Sequence, residues 1–282
     1  MGAMVTKGLS LEPMSRASTP RMCETPSGMV NAIGLANIGV RAFVREKLPE
    51  LRGYDTPVIA NLFGHQVSEY AEIIRVLEDA EGLAVYGLSI SCPNLKQGGT
   101  ELPTDPFLAS QVVAAARKVA KRPLWVKFSS LAGRIGLIAR VCESEGADAL
   151  VIRGTYQRLC INRHNKRFRL GGTTGGLPGA EIRSINPRLV HEASRAVKIP
   201  VIGLGGVENA PNVMEYLLLG ARAVEVDPAY FFDPWAFADL VADLENLCRE
   251  DNILGISKLR RSFETGFSCN RDCSNDTMRS FQ

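Results

Sequence analysis

The run Ser89-Ile90-Ser91-Cys92-Pro93-Asn94 sets a thiol directly after an apolar stretch, Leu83 to Ile90, that reads as a buried strand. In a barrel of parallel strands, chemistry is done at the carboxyl end of such strands. A cysteine placed there can take a proton from a substrate carbon while a cofactor takes the hydride. A free thiol, with a pKa of ~8.5, is brought toward neutrality by nearby cations or dipoles, as a general base requires. The plain alternative for Cys92 is a small buried hydrophobe.

A residue in that position needs a scaffold of repeated strands and helices, and the chain has the pattern for one. Short apolar runs at Ala3–Thr6, Pro57–Leu62, Leu83–Ser91, Leu124–Phe128, Ala149–Ile152, Pro200–Leu204 and Ala223–Val226 read as strands. Helical stretches are expected at about Val67–Asp79, Pro106–Lys121, Ile135–Glu145, Pro187–Val197, Ala210–Leu219 and Pro234–Arg249. The strand runs are apolar on both faces, as parallel strands covered by helices must be. Pro57, Pro123 and Pro200 precede strands, where a missing N–H costs least, and Gly146 and Gly220 close helices. The expected fold is α/β, a TIM (β/α)8-type barrel, although the units that can be counted fall one short of a closed ring. The two unpaired edges beside such a gap need cover.

Composition agrees with one sizeable domain: 282 residues, 45% hydrophobic and 22% charged. The net charge of +3 is small, and cations and anions are interspersed, which argues against a nucleic-acid binder. The basic run from Arg158 to Arg169 reads as a solvated loop. No stretch has the length of a membrane span. The seven cysteines have no metal or cluster spacing; Cys269 and Cys273, the closest pair, lack further ligands, so no metal is expected. An odd cysteine count without a secretory signal suits a reducing cytoplasm. The barrel is assigned to residues 1–261 and a polar tail to 262–282.

Six motifs, in order, carry a resemblance. They are Val5-Thr6-Lys7-Gly8, Glu24-Thr25-Pro26-Ser27-Gly28-Met29-Val30-Asn31-Ala32-Ile33-Gly34-Leu35, Ser91-Cys92-Pro93-Asn94, Trp125-Val126-Lys127, Thr174-Gly175-Gly176-Leu177 and Ile202-Gly203-Leu204-Gly205-Gly206. Over about Gly2 to Leu259 the chain resembles the catalytic subunit of dihydroorotate dehydrogenase, most closely the NAD-linked class. The resemblance implies FMN as cofactor, dihydroorotate as substrate, pyrimidine synthesis as context and Cys92 as the base. It implies flavin contacts from Lys7, Asn61, Lys127, Gly179, Gly205 and Gly206. It implies a substrate site formed by Lys7, Asn31, Ala32, Ile33, Gly34, Leu35 and Thr155. Ammonium groups at Lys7 and Lys127 would stabilise an electron-rich ring. The Gly205–Gly206 pair would expose backbone N–H groups to a phosphate, or simply make a tight turn. The resemblance also implies a homodimer core and an electron-transfer subunit carrying FAD and an iron–sulfur cluster. The family starts with one more strand and helix, which accounts for the missing eighth unit.

Departures fall on working positions. Ser89 stands where the family has Asn, Gly87 where it has Glu, Gly154 where it has Asn, Arg153 where it has an aliphatic residue and Pro178 where it has Ser. Asp227-Pro228 replaces a Gly-Thr pair that donates to the flavin phosphate; Pro has no N–H, and Asp repels a phosphate. Three readings follow: a dihydroorotate-oxidising FMN enzyme, a flavin enzyme acting on another small cyclic or carboxylate substrate, and a non-catalytic barrel that scaffolds a partner.

Overall fold

The computed structural model describes residues 2–26, 28–90, 96–97, 100–101, 105–129, 134–153, 156–227, 233 and 235–255, with only the backbone at 96–97, 100–101 and 129. Its strands are β1 (Met4–Val5), β2 (Met22–Thr25), β3 (Gly28–Asn31), β4 (Val58–Leu62), β5 (Val85–Ser89), β6 (Lys96–Gln97), β7 (Thr100–Glu101), β8 (Leu124–Ser129), β9 (Ala149–Arg153), β10 (Tyr156–Arg158), β11 (Ile161–Asn162), β12 (Arg167–Phe168), β13 (Gly175–Leu177), β14 (Val201–Leu204) and β15 (Ala223–Glu225). Its helices are α1 (Val40–Ala42), α2 (Leu48–Leu51), α3 (Val67–Glu78), α4 (Pro106–Arg117), α5 (Ile135–Ser144), α6 (Asn186–Ala196), α7 (Ala210–Leu218) and α8 (Ala236–Glu250); a π-helical turn, Phe43–Lys47, joins the first two.

Seven strands form one parallel sheet in the order β1-β4-β5-β8-β9-β14-β15. Each expected strand run is in this sheet, five of them trimmed at one or both ends and two, β8 and β9, one residue longer than expected. Alternate residues divide cleanly, as the pleat requires. Ala60, Leu62, Tyr86, Leu88, Val126, Phe128, Leu150 and Ile152 join the helix-facing core. Ala149, Val151, Ile202 and Leu204, with Trp125 against them, make a second cluster that fills the interior. The sheet curls into a barrel wall, because β8 and β15, three places apart in strand order, touch across the interior through Lys127 and Glu225. Among the described residues β1 pairs only with β4 and β15 only with β14, which leaves a seam where an eighth strand would close the ring.

The helices follow local rules. In α3, Tyr70, Ile73, Ile74 and Leu77 recur at helical spacing and are fully buried. Asp105 caps α4 by accepting from Phe107 N at 2.9 Å, and Asn209 caps α7 by accepting from Asn212 N at 3.1 Å. Gly146 and Gly220 take φ of 95° and 110° just past α5 and α7, a left-handed stop that favours glycine.

Over the barrel mouth lies a second, antiparallel sheet in the order β10-β13-β3-β2. Its own small core is Cys23, Val30, Leu170, Leu177 and Ile182. The expected loop at Arg158–Arg169 contains a short hairpin, β11 with β12; its residues are exposed, as a solvated segment should be. No helix among the described residues is long and apolar enough to cross a membrane.

Candidate active site

The inward face of the parallel sheet changes character toward its carboxyl end. Below, it is apolar. At the last inward positions it carries Lys7 just past β1, Asn61 on β4, Ser89 on β5, Lys127 on β8, Arg153 on β9, Glu225 on β15 and Asp227 just past it. Strand register makes this a ring: Asn61 pairs with Gly87, Ser89 with Lys127, and Leu204 lies between Arg153 and Glu225.

Lys7 and the expected substrate loop meet directly, since Lys7 Nζ donates to Gly34 O at 3.2 Å. Gly34 takes φ of 79°, and a Cβ there would sit 3.2 Å from that of Ala17, so the loop passes close to the Arg16–Ala17 segment. Asn31 lies on β3 between Met22 and Gly176, and Ala32 N donates to Arg21 O at 2.7 Å. Asn31, Ala32, Ile33 and Leu35 are half-buried, and Asn37 braces the loop end by donating to Leu35 O at 2.9 Å and to Ser10 Oγ at 2.8 Å.

The charges are interleaved. Lys7 is solvent-accessible as a residue, yet desolvation of its ammonium holds its pKa below the ordinary lysine value; the Arg153 guanidinium adds to this and Asp227 opposes it. Lys127 is paired: its Nζ lies 2.8 Å from Glu225 Oε2, and the two side chains are 11% and 15% exposed.

Two features fit a bound, hydrogen-bonding flavin. Asn61 Oδ1 is buried and accepts no hydrogen bond among the described residues, although buried polar atoms ordinarily find partners. Gly205 and Gly206 turn the chain after β14 with φ of 112° and 73°, and their N–H groups have no backbone acceptor among the described residues. A Cβ on Gly206 would come within 2.9 Å of Arg183 Cα, so the turn admits only glycine. Tyr216 Oη donates to Gly205 O at 2.7 Å and Asn186 Nδ2 to Leu204 O at 3.1 Å, which fixes the turn from behind. Gly179, with φ of 86°, faces open space at the head of a 3-10 turn, Ala180–Ile182. Against these stands Asp227, whose carboxylate lies at the end of the neighbouring strand and disfavours a phosphate.

Cys92, Thr155, Gly154 and Pro228 lie outside the described residues, as do Cys269 and Cys273. The strand that leads to Cys92 is anchored, because buried Tyr70 of α3 donates to Ser89 O at 2.9 Å. Sequence reasoning overlooked Glu225, Tyr216 and Asn186. Glu225 had a readable signal: in Ala223-Val224-Glu225-Val226-Asp227 the valines alternate with two carboxylates, so one face of the strand is acidic. Among the described residues no group of three or more His, Cys, Asp or Glu could hold a metal ion.

Comparison with known proteins places this geometry in a lineage. The family model for dihydroorotate dehydrogenase matches residues 1–248. A protein of Solibacter usitatus, provisionally named dihydroorotate dehydrogenase A (fumarate), is 47% identical over 253 residues, covering 90% of this chain and 83% of that protein. The catalytic subunit of dihydroorotate dehydrogenase B (NAD(+)) from Trichlorobacter lovleyi is 44% identical over 264 residues, 94% of this chain and 87% of its own length. That of Geobacter sp. strain M21 is 41% identical over the same span and coverage, 264 residues, 94% and 87%.

Proposed function

The chain belongs to the dihydroorotate dehydrogenase family, and on that premise we propose that it oxidises dihydroorotate to orotate with FMN as hydride acceptor. The observation that carries the reading is the convergence of Lys7, Asn61 and Lys127 at one barrel mouth, with Gly34 of the substrate loop bonded to Lys7 at 3.2 Å. Bound FMN would supply a two-electron acceptor. Lys7, Asn61, Lys127, Gly179, Gly205 and Gly206 are the residues that would hold it.

The remaining work falls to the protein. Dihydroorotate loses a proton from one ring carbon and a hydride from its neighbour. Cys92 is the group assigned to take the proton; in sequence it follows β5, whose last residue, Ser89, is held by Tyr70. Asn31 to Leu35 and Thr155 are the residues we assign to the substrate, and backbone groups near Gly34 suit a carboxylate and a ring amide. Lys7 brings a cation to that anionic substrate. The mouth sheet carries Asn31 on β3, next to the loop that meets Lys7.

The test begins with flavin content. Purified protein should take up FMN and bleach anaerobically on addition of dihydroorotate, and Cys92→Ala should slow bleaching about 10²–10⁴-fold, the usual worth of a general base. A bleaching rate untouched by that substitution removes Cys92 from the reaction. Arg153 at the mouth and Ser89 below it favour a second reading, a flavin enzyme for another small acid. That reading predicts bound FMN that dihydroorotate leaves oxidised.

For the surroundings, we propose a barrel over residues 1–261 with a separate tail at 262–282, a homodimeric core and a cytoplasmic setting. Two of the relatives are catalytic subunits of the NAD(+)-linked enzyme, which supports a partner subunit carrying FAD and an iron–sulfur cluster as the electron acceptor.

A further inference from the structure

The cation expected beside the flavin ring is not a lone charge. Lys127 Nζ stands 2.8 Å from Glu225 Oε2, within hydrogen-bond reach, in a setting where both side chains are largely withdrawn from water. The two residues are far apart in sequence and on strands three places apart, so their meeting is a property of the curled sheet and not of local chain geometry. Asp227, two residues on and on the same inward face, lies near enough to Lys7 to influence it. β15 and its extension thus present two carboxylates toward two lysines from β1 and β8.

We propose that Glu225 is a positioning residue that fixes the Lys127 ammonium in the barrel mouth and screens its charge, so that bound flavin is harder to reduce than Lys127 alone would make it. The inference rests on the flavin reading of this site. Its physics is direct. A positive charge near the ring favours the electron-rich reduced form. A carboxylate in contact with that ammonium cancels much of its field at the distance of a neighbouring ring, and the energy at stake is largest where the dielectric is low. The short contact also removes the freedom of a long lysine stem, so the ammonium is held where the ring would meet it. Lys127 is thereby engaged before any substrate anion enters the mouth.

The test uses the full chain loaded with FMN and measures the reduced-to-oxidised ratio of bound flavin against a reference dye at fixed potential, alongside the FMN dissociation constant from fluorescence quenching. Glu225→Gln should raise that ratio at least tenfold. The apolar pair Lys127→Met/Glu225→Met should stay within about threefold of wild type, because it deletes a neutral unit, whereas Lys127→Met alone leaves an uncompensated carboxylate and should lower the ratio tenfold or more. The double variant keeps the test decisive even where Glu225→Gln fails to fold. A ratio unmoved by Glu225→Gln, or a double variant that falls as far as Lys127→Met, overturns the proposal while leaving the flavin reading intact. Wild-type protein that takes up no FMN overturns the flavin reading, and the inference falls with it.

Discussion

The ring of Tyr216 occupies the space that a side chain on Gly203 would need, while its hydroxyl donates to Gly205 O at 2.7 Å. One residue of α7 therefore both seats the helix against β14 and sets the turn that follows the strand. Burial pushes the Tyr216 pKa up, so the hydroxyl stays a donor throughout the accessible range. Tyr216→Phe keeps the ring and strands a buried carbonyl, at a cost of ~1–3 kcal/mol. Thermal melting should fall by several degrees, and FMN affinity should fall as the Gly205–Gly206 turn loosens. An unchanged dissociation constant, read by fluorescence quenching, would show that the turn holds without its brace.

Asp227 is the clearest obstacle to a phosphate at the mouth. Asp227→Asn removes its charge with little change of shape. FMN should then bind about tenfold tighter, equivalent to ~1.4 kcal/mol. The gain should shrink as salt rises, since screening weakens repulsion at an accessible site. Equal affinities in wild type and variant would place the phosphate elsewhere.

Lys7 gives a pH dependence whose sign is fixed. Its folded-state pKa lies below the ordinary value of 10.5, chiefly through desolvation. Between the lowered value and 10.5 the unfolded chain holds the proton and the folded chain releases it, so this group's contribution to stability rises with pH across that window and is lost below it. Urea unfolding at several alkaline pH values should show this slope in wild type and lose it in Lys7→Met. Affinity for an anionic ligand runs the other way and should decline at a lower pH than an ordinary lysine would dictate.

Arg122 serves as a structural contrast remote from the mouth. It donates to Tyr86 Oη at 2.5 Å and Ala80 O at 2.7 Å and pairs with Glu78 at 3.6 Å. Burial lifts the Tyr86 pKa to about 12 despite the opposing guanidinium. Arg122→Leu should cost ~1.5–3 kcal/mol, the worth of a charge-assisted hydrogen bond, with FMN affinity unchanged. Calorimetry and a flavin titration on the same sample would separate the two effects.

The parallel sheet was legible because each strand is a short apolar run with a proline or glycine at its margin, and each helix has a face that repeats at its own period. Pro106 marked the start of α4, and Gly220 marked the end of α7. The mouth sheet was not legible. Its pairings are long-range, Gly176 with Asn31 for example, and leave no local periodicity. β13 contains two glycines, poor strand formers; a Cβ on Gly175 would come within 2.7 Å of Val30 and Leu170, so packing and not propensity selects glycine there. Lys7, Asn61 and Lys127 were located through the family resemblance, and each lies at or just past the end of a strand run. The pairing of Lys127 with Glu225 could not, because which strands face each other across a barrel depends on its curvature.

The seam between β1 and β15 gives the molecule two loose staves. A continuous hoop shares any local loosening around its circumference, whereas an interrupted one yields first at its free ends. Among the described residues β15, three residues long with Ala223 open to solvent, is held by β14 on one side, by α7 behind it and by the ionic strut to Lys127 on the opposite wall. Its amides should exchange with deuterium well before those of β8, and cutting the strut should widen that difference, so that the electrostatics of the mouth and the mechanical closure of the wall loosen together.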